Sequence, residues 1–433
     1  MGMMNTGEGS VGTPPSAVAP SWTAPSDIER RLYEAKMRGD WPAFFDVLAG
    51  TDLFLAVSRR QADSAPDSVF FTPYWNPQTN TQCLAVFTEG MLPAPVPDPV
   101  FVARSLDWYG RAWEDADPPF LAVNPGSPCE AFLPTTPAHR AVWRQHHERA
   151  RNARAADSAC GQSHTHGKLR ALHVGGPLHG PVAHGLACAA LLFVKNGELW
   201  NSMGYHGSGY HHEKYRLEKW WGVTSRETWY RTQERLLNAD MVSDVWQFVL
   251  SVRHALARDF AGSVAIEHWR ESAERVLRRG IEEAGAARIT PEGVTRGQPV
   301  SAAEAESQVA GVRRMIGRIA RYEARFRADG LLPEGSYIRT TEAWDYGRAS
   351  GMARWGLGAR FCTLEDAEQA VLRAGRAAQS AYRSWEDFSA GYILGRCLHF
   401  DEEEFGSWYQ EMVDAHRLLT TDPASPWLNI PWK

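Results

Sequence analysis

Residues 343–356 read Ala343-Trp344-Asp345-Tyr346-Gly347-Arg348-Ala349-Ser350-Gly351-Met352-Ala353-Arg354-Trp355-Gly356. On a helix Gly347 and Gly351 fall one turn apart and leave a smooth strip where a second helix can approach closely. Trp344 and Trp355 are expected on the same inward face. Gly391 and Gly395, beside Leu394 and Leu398, repeat the device. Helix starts are legible around these segments. Thr224-Ser225-Arg226-Glu227 has the hydroxyl-x-x-acid form of a capping box, with Thr224 holding an amide and Glu227 reaching back, and Thr363–Asp366 and Ser384–Asp387 offer the same logic. Val242, Val245, Val249, Val252 and Leu256 form a helical stripe that predicts a buried face. From Leu186 to near Leu419 the chain therefore reads as helical. The closing segment, Ser425-Pro426-Trp427 to Pro431-Trp432, is expected to dock its tryptophans onto the bundle as a clasp.

Upstream the period changes. A helix is expected from Asp27 to a stop at Gly39-Asp40, then a short one over Pro42–Leu48. Leu53–Val57, Val69–Tyr74, Cys83–Thr88 and Phe120–Asn124 are short apolar or alternating runs bounded by turn formers, and read as strands. A helix is expected over Phe101–Trp113. The fold class is thus α+β: an N-terminal α/β domain over 27–135, a charged and then Gly/His/Pro-rich linker over 136–185, and a larger, mostly all-helical domain over 186–433. Residues 1–26, rich in Gly, Ser, Pro and Ala, read as a disordered leader. Gly280–Pro299 reads as an insertion between helices.

A chain of 433 residues is long enough for two or three cores. A net charge of −5 argues against a surface built throughout for nucleic acid or anionic lipid. Six cysteines without a CxxC pair fit neither a disulfide framework nor a thiolate zinc site, so a reducing cytoplasm is expected. No secretory leader or membrane-length apolar run is read, and no membrane partner is expected. Met1-Gly2 with Thr6 meets the loose myristoylation pattern, which is short enough to arise by coincidence.

Two resemblances add to this reading. The opening helix, Leu84-Ala85-Val86-Phe87-Thr88 and the later Asn124-Pro125-Gly126-Ser127 together resemble the SseB-like N-terminal domain over about residues 28–135. The ordered blocks Trp220-Trp221-Gly222-Val223-Thr224-Ser225-Arg226-Glu227, Ala343–Gly356, Ser384-Trp385-Glu386-Asp387-Phe388 and Asp422–Trp427 resemble the YbeU/YbeR-type domain of unknown function (DUF1266) over about 186–433. These resemblances imply a bacterial accessory or binding protein and a helical domain. By analogy they suggest a role beside secretion, toxin-immunity or stress functions.

The polar residues left over by packing and capping are Arg226, Asp345, Arg348, Arg354 and Arg396. Asp345 and Arg348 can pair at i, i+3 as a structural ion pair. The alternative is that the arginines form a pocket for an anionic ligand, since guanidinium presents a planar fork to carboxylate or phosphate. Eight histidines fall between 164 and 212. His164, His166, His211 and His212 are the weak candidates for a metal, but their spacing is not preorganised and no metal is expected. Arg314, Arg318, Arg321 and Arg325 line one side of a helix and could neutralise phosphates, though such stripes are more often solvated faces, so nucleic acid is not expected as a partner. No nucleophile elbow, Walker loop, HExxH or dinucleotide fingerprint is found in a confirming context, and no cofactor is expected. The leading expectation is a non-enzymatic binding protein whose partner is another protein. The runner-up is an enzyme acting on an anionic small molecule or nucleotide through the arginines, with Asp345 or Glu227 as acid or base.

Overall fold

The computed structural model describes residues 22–60, 73–76, 80–93, 99–114, 117–159, 169–172, 176–203, 205–206, 210–259, 264–290, 293–296 and 300–433. Most of the expected leader lies outside these residues. Within it, Ser26 caps the first helix, α1 (Asp27–Arg38), by accepting from Ile28 N, and Trp22 packs on Tyr33 at 5.3 Å between ring centroids. Gly39 closes α1 in the left-handed region, where the lack of a Cβ removes the steric penalty. α2 (Trp41–Ala49) follows with Asp40 as its cap.

The α/β half carries two small sheets. In the first, β2 (Pro73–Asn76) and β3 (Thr81–Val86) are antiparallel, β3 and β5 (Phe120–Val123) are parallel, and β6 (Ala131–Pro134) closes the edge antiparallel to β5. In the second, β1 (Leu53–Ser58) pairs antiparallel with β4 (Pro99–Arg104), and β7 (Tyr205–His206), from the helical half, pairs parallel with β4. The expected helix over 101–113 is only half correct. Val100, Val102 and their neighbours extend along β1, and the helix α3 (Leu106–Ala112) begins after the Ser105 cap. The expected strand over 69–74 lies largely outside the described residues. α4 (Pro137–Ala159) occupies the first part of the expected linker, yet it packs on α2 and α3 and buries Trp143 in the same core as Leu84, Tyr109 and Leu121.

The helical half is built around α12 (Ala343–Gly358), which is buried at every position except Arg348. A helix enclosed on all sides sits at the centre of a core, here with Asp345, Ser350 and Arg354 buried along with its apolar residues. It is surrounded by α5 (Gly180–Ala187), α6 (Ala190–Asn196), α7 (Tyr210–Trp221), α8 (Arg226–Leu237), α13 (Leu364–Ala381) and α14 (Trp385–Phe400). α9 (Asp244–Asp259), α10 (Ile266–Gly285) and α11 (Ala302–Ala328) form a second group, with a hairpin of β8 (Ala287–Thr290) and β9 (Gly293–Arg296) in the expected insertion. The α9 stripe is rotated from expectation. Trp246, Val249, Leu250 and Arg253 are buried, while Val245 is 43% exposed.

The glycine strips behave as expected at three of four positions. A Cβ on Gly347 would stand 2.6 Å from the Tyr392 ring, one on Gly391 2.7 Å from Tyr382 Oη, and one on Gly395 2.9 Å from Trp344 Cβ, whereas the tightest neighbour of Gly351, at 3.3 Å, is the Trp355 ring of its own helix. α15 (Ser407–Thr421) and the short α16 (Pro426–Asn429) bring back the C-terminus as a clasp. Trp427 Nε1 donates to Ala187 O at 3.2 Å, Trp432 Nε1 to Tyr382 O at 3.0 Å, and Trp385 stacks on Trp427 at 5.6 Å. Among the described residues, no helix is long and apolar enough to cross a membrane.

Candidate functional site

The two halves meet in a polar cleft of about 450 Å³. From the α/β side it is lined by Asp52 before β1, Arg104 at the end of β4, the Ser105 cap and Trp108 of α3; from the helical side by Asn196–Glu198, Glu213 and Arg216 of α7, and Arg354, Trp355 and Gly358 of α12. Local structure fixes each wall. Ser105 Oγ accepts from Trp108 N at 3.1 Å, so the strand-to-helix turn orients the Trp108 ring, and the Arg104 guanidinium lies 5.2 Å from its centroid. Gly197 adopts φ +66° at the end of α6, which turns the chain so that Glu198 enters the cleft. An apolar cluster of Phe54, Leu92, Phe101, Leu172 and Leu199 joins the halves beside the cleft. Arg59 of the α/β side donates to Leu357 O at 3.0 Å, and Arg170 bridges Glu89 (2.6 Å) and Gly197 O (2.7 Å).

The charges within the cleft form a chain. Arg354 Nη2 lies 3.1 Å from Glu198 Oε2, and Arg216 reaches Glu198 Oε1 at 3.4 Å and Glu213 Oε1 at 3.2 Å. Arg354 also donates to Leu199 O and stacks 3.8 Å from the Phe193 centroid, so it is held in place on three sides. Glu213 is the exception. It is buried, its Oε2 has no hydrogen-bond partner, and burial raises its pKa above the usual carboxylate range despite Arg216 and Arg354 nearby. The Trp355 indole nitrogen, on the same cleft, is likewise buried without a partner.

A buried carboxyl with a raised pKa has a measurable signature. Its contribution to stability is complete below about pH 4, where the proton is bound in both folded and unfolded chains, and is lost as pH rises through the folded pKa. Glu213→Gln, which cannot ionise, is therefore expected to gain stability over the wild type as pH rises from about 4 to about 8. Urea midpoints at the two ends of that range test this; an advantage that shrinks with rising pH contradicts it.

The structure does not gather the five residues singled out from the sequence. Arg354 alone lines the cleft. Arg226 is exposed and pairs with Asp366 at 2.8 Å. Asp345 is fully buried, pairs with Arg348 and accepts from Met241 N (2.9 Å) and Val242 N (3.1 Å), an arrangement that ties the loop between α8 and α9 to α12. Burial raises the Asp345 pKa and lowers that of Arg348. Arg348 spreads over Trp344 at 3.5 Å, so the expected structural ion pair is present and fully occupied. Arg396 is buried beside Trp408 and Phe400, 3.9 Å from Glu411. The capping box is displaced by one residue. Ser225, not Thr224, is the cap, and its reciprocal partner is Thr228, which leaves Glu227 exposed in a pair with Arg231. Asp345 and Glu227 are thus not placed as acid or base in the cleft.

His164 and His166 lie outside the described residues, as does the side chain of His211, and His212 is exposed. Among the described residues, no group of three or more His, Cys, Asp or Glu is placed to hold a metal. Arg104, Trp108, Glu198, Glu213 and Arg216 were not apparent from sequence. Glu213 and Arg216 have only the i, i+3 spacing common to surface ion pairs, and the remainder come from distant elements.

The family described as "Protein of unknown function (DUF1266)" matches residues 216–432. The chain belongs to that family. The DUF1266 match takes in α8 to α16, and with them Arg216, Arg354 and Trp355 of the cleft. The α/β half and Glu213 lie before it. No curated protein and no solved structure matches the chain.

Proposed function

We propose that the chain is an accessory binding protein whose ligand is a small polar molecule held in the cleft between its two halves. Glu213 carries this reading. A buried carboxyl oxygen without a partner loses its hydration and gains nothing in return, a cost of about 1–3 kcal/mol that a bound N–H or O–H donor would offset. Pockets at domain junctions with a few convergent polar groups are the usual places for such ligands. The cleft chemistry selects the class. Trp108 and Trp355 offer flat faces, Arg104 offers its guanidinium to an anionic group with the positive charge of Arg216 beside it, and Glu213 accepts from a donor. A planar, N–H-bearing molecule with a phosphate or carboxylate, such as a nucleoside monophosphate, satisfies all three.

The test is a titration of the full chain with the four ribonucleoside monophosphates, read by tryptophan fluorescence. Saturable quenching is expected, weakened about tenfold, or about 1.4 kcal/mol, in Arg216→Ala and in Trp108→Ala. No saturable response up to about millimolar ligand, the weak end of specific binding, would remove the reading.

The raised pKa of Glu213 favours a second reading, in which the same carboxyl serves as a general acid or base toward the bound molecule. Glu213→Gln separates the two. A binding protein converts nothing in either form, whereas an enzyme consumes the ligand only with Glu213 intact.

A further inference from the structure

A second polar groove, of about 720 Å³, runs between α10 and α11 and is independent of the cleft. Arg270 of α10 and Arg313, Arg314, Arg318 and Arg321 of α11 line it, with Glu403 as the acid among its lining residues. Acidic neighbours occupy the outer edges of these guanidiniums. Arg321 gives Nε and Nη2 to Glu403 at 2.7 and 2.8 Å, Arg313 reaches Glu274 at 3.2 Å, and Arg270 gives Nη1 to Glu267 at 2.5 Å. The remaining edges converge. A Cβ on Gly317 would stand 2.8 Å from Arg270 Nη2 and 3.2 Å from Arg321 Nη1, so two like charges from different helices meet over one glycine. Arg314, exposed and with Nη2 4.0 Å from the potential Cβ of Gly311, lines the same groove and makes no ion pair or hydrogen bond among the described residues. Arg270 Nε is buried without a partner.

Pairs with Glu267, Glu274 and Glu403 hold Arg270, Arg313 and Arg321 in place, while Arg270 Nη2 and Arg321 Nη1 approach each other over Gly317, where they repel unless an anion lies between them. Forked N–H edges match the tetrahedral oxygens of a phosphoryl group. The cations do not continue along the helix. Arg325 turns away to Asp329 at 2.7 Å and packs against Phe405 and Tyr409, so the basic site spans Gly311 to Arg321, about 15 Å at 1.5 Å per residue. That length suits a compact polyanion and not a tracked nucleic-acid backbone.

We propose that this groove is a binding site for a small, multiply charged phosphate compound, with the guanidiniums of Arg270 and Arg321 meeting on it over Gly317 and that of Arg314, beside Gly311, reaching it from the other end of the groove. The probe is inorganic pyrophosphate, titrated calorimetrically into the full chain at constant ionic strength. Saturable binding is expected, weakened about tenfold in Arg314→Ala, a surface change that breaks no pair, and in Arg270→Ala. The cleft variant Arg216→Ala should bind pyrophosphate like the wild type, which keeps this site distinguishable from the first. Melting temperatures of the variants within a few degrees of the wild type establish that the losses are local. The proposal is overturned by the absence of saturable heat, by unchanged affinity in Arg314→Ala and Arg270→Ala, or by a duplex DNA or RNA binding more tightly than pyrophosphate.

Discussion

Glu323→Ala is expected to destabilise the chain by about 3–5 kcal/mol, the range measured when one partner of a buried ion pair is removed. Arg253 Nη1 and Nη2 meet Glu323 Oε2 and Oε1 at 2.7 Å each, with both side chains almost completely buried. The pair also organises the backbone: Ile338 N donates to Glu323 at 2.8 Å, and Arg253 donates to Ile338 O at 2.6 Å. Arg253 is packed 4.3 Å from the Trp269 centroid and 5.0 Å from that of Tyr337, so it cannot swing out to water without opening the junction of α9, α10 and α11. Removing Glu323 strands a cation there. The double change Arg253→Met with Glu323→Leu should recover most of the loss, because two apolar side chains of similar volume need no partners. Denaturant midpoints of the three proteins decide it. A loss below about 1 kcal/mol, the range of an exposed pair, would show that the junction yields to solvent.

Gly185→Ala should cost about 3 kcal/mol, the upper range for overpacking a tight core. At this crossing α5 and α13 touch backbone to backbone. A Cβ on Gly185 would lie 2.3 Å from Val371 O and 2.7 Å from Val371 Cγ1, and Gly375 faces it with a potential Cβ 3.1 Å from Gly185 Cα. Helices in contact at this distance can accept a methyl group only by separating, and the clasp formed by Trp427 on Ala187 would have to follow. Gly280→Ala is the control. Gly280 sits in exposed helix with nothing within 4 Å of its potential Cβ, so the substitution should stabilise by about 0.5–1 kcal/mol. Thermal midpoints moving in opposite directions for the two glycines confirm the assignment; equal shifts would refute it.

The parts of the fold that were legible in sequence are those fixed by neighbours along the chain. Ser384 and Thr363 cap their helices as the hydroxyl-x-x-acid spacing predicts. Thr224 and Ser225 present two hydroxyls side by side, and the Thr228 hydroxyl decided the register in favour of the second. The first part of the Phe101–Trp113 reading failed because β4 depends on β1, more than forty positions earlier, a pairing that local pattern does not contain. The cleft was hidden for the same reason. Asp52, Trp108, Glu198, Glu213 and Arg354 become neighbours only after the two halves dock. Asp345 illustrates the converse: a polar residue in a distinctive motif drew attention as chemistry, and its oxygens turn out to be spent on Arg348 and two backbone amides.

One strand from the helical half has consequences for the chain as a unit of inheritance. β7 (Tyr205–His206) pairs parallel with β4 and forms the outer strand of the β1-β4-β7 sheet. A piece beginning at residue 216 would leave that strand behind, together with α5 and α6, whose partners α13 and α15 would then face water with apolar surface. The α/β half, separated, would expose an open sheet edge of the kind that recruits other chains. Gene fusion or shuffling at the boundary of the matched family would therefore yield two sticky fragments, and the segment between the halves travels with both or with neither.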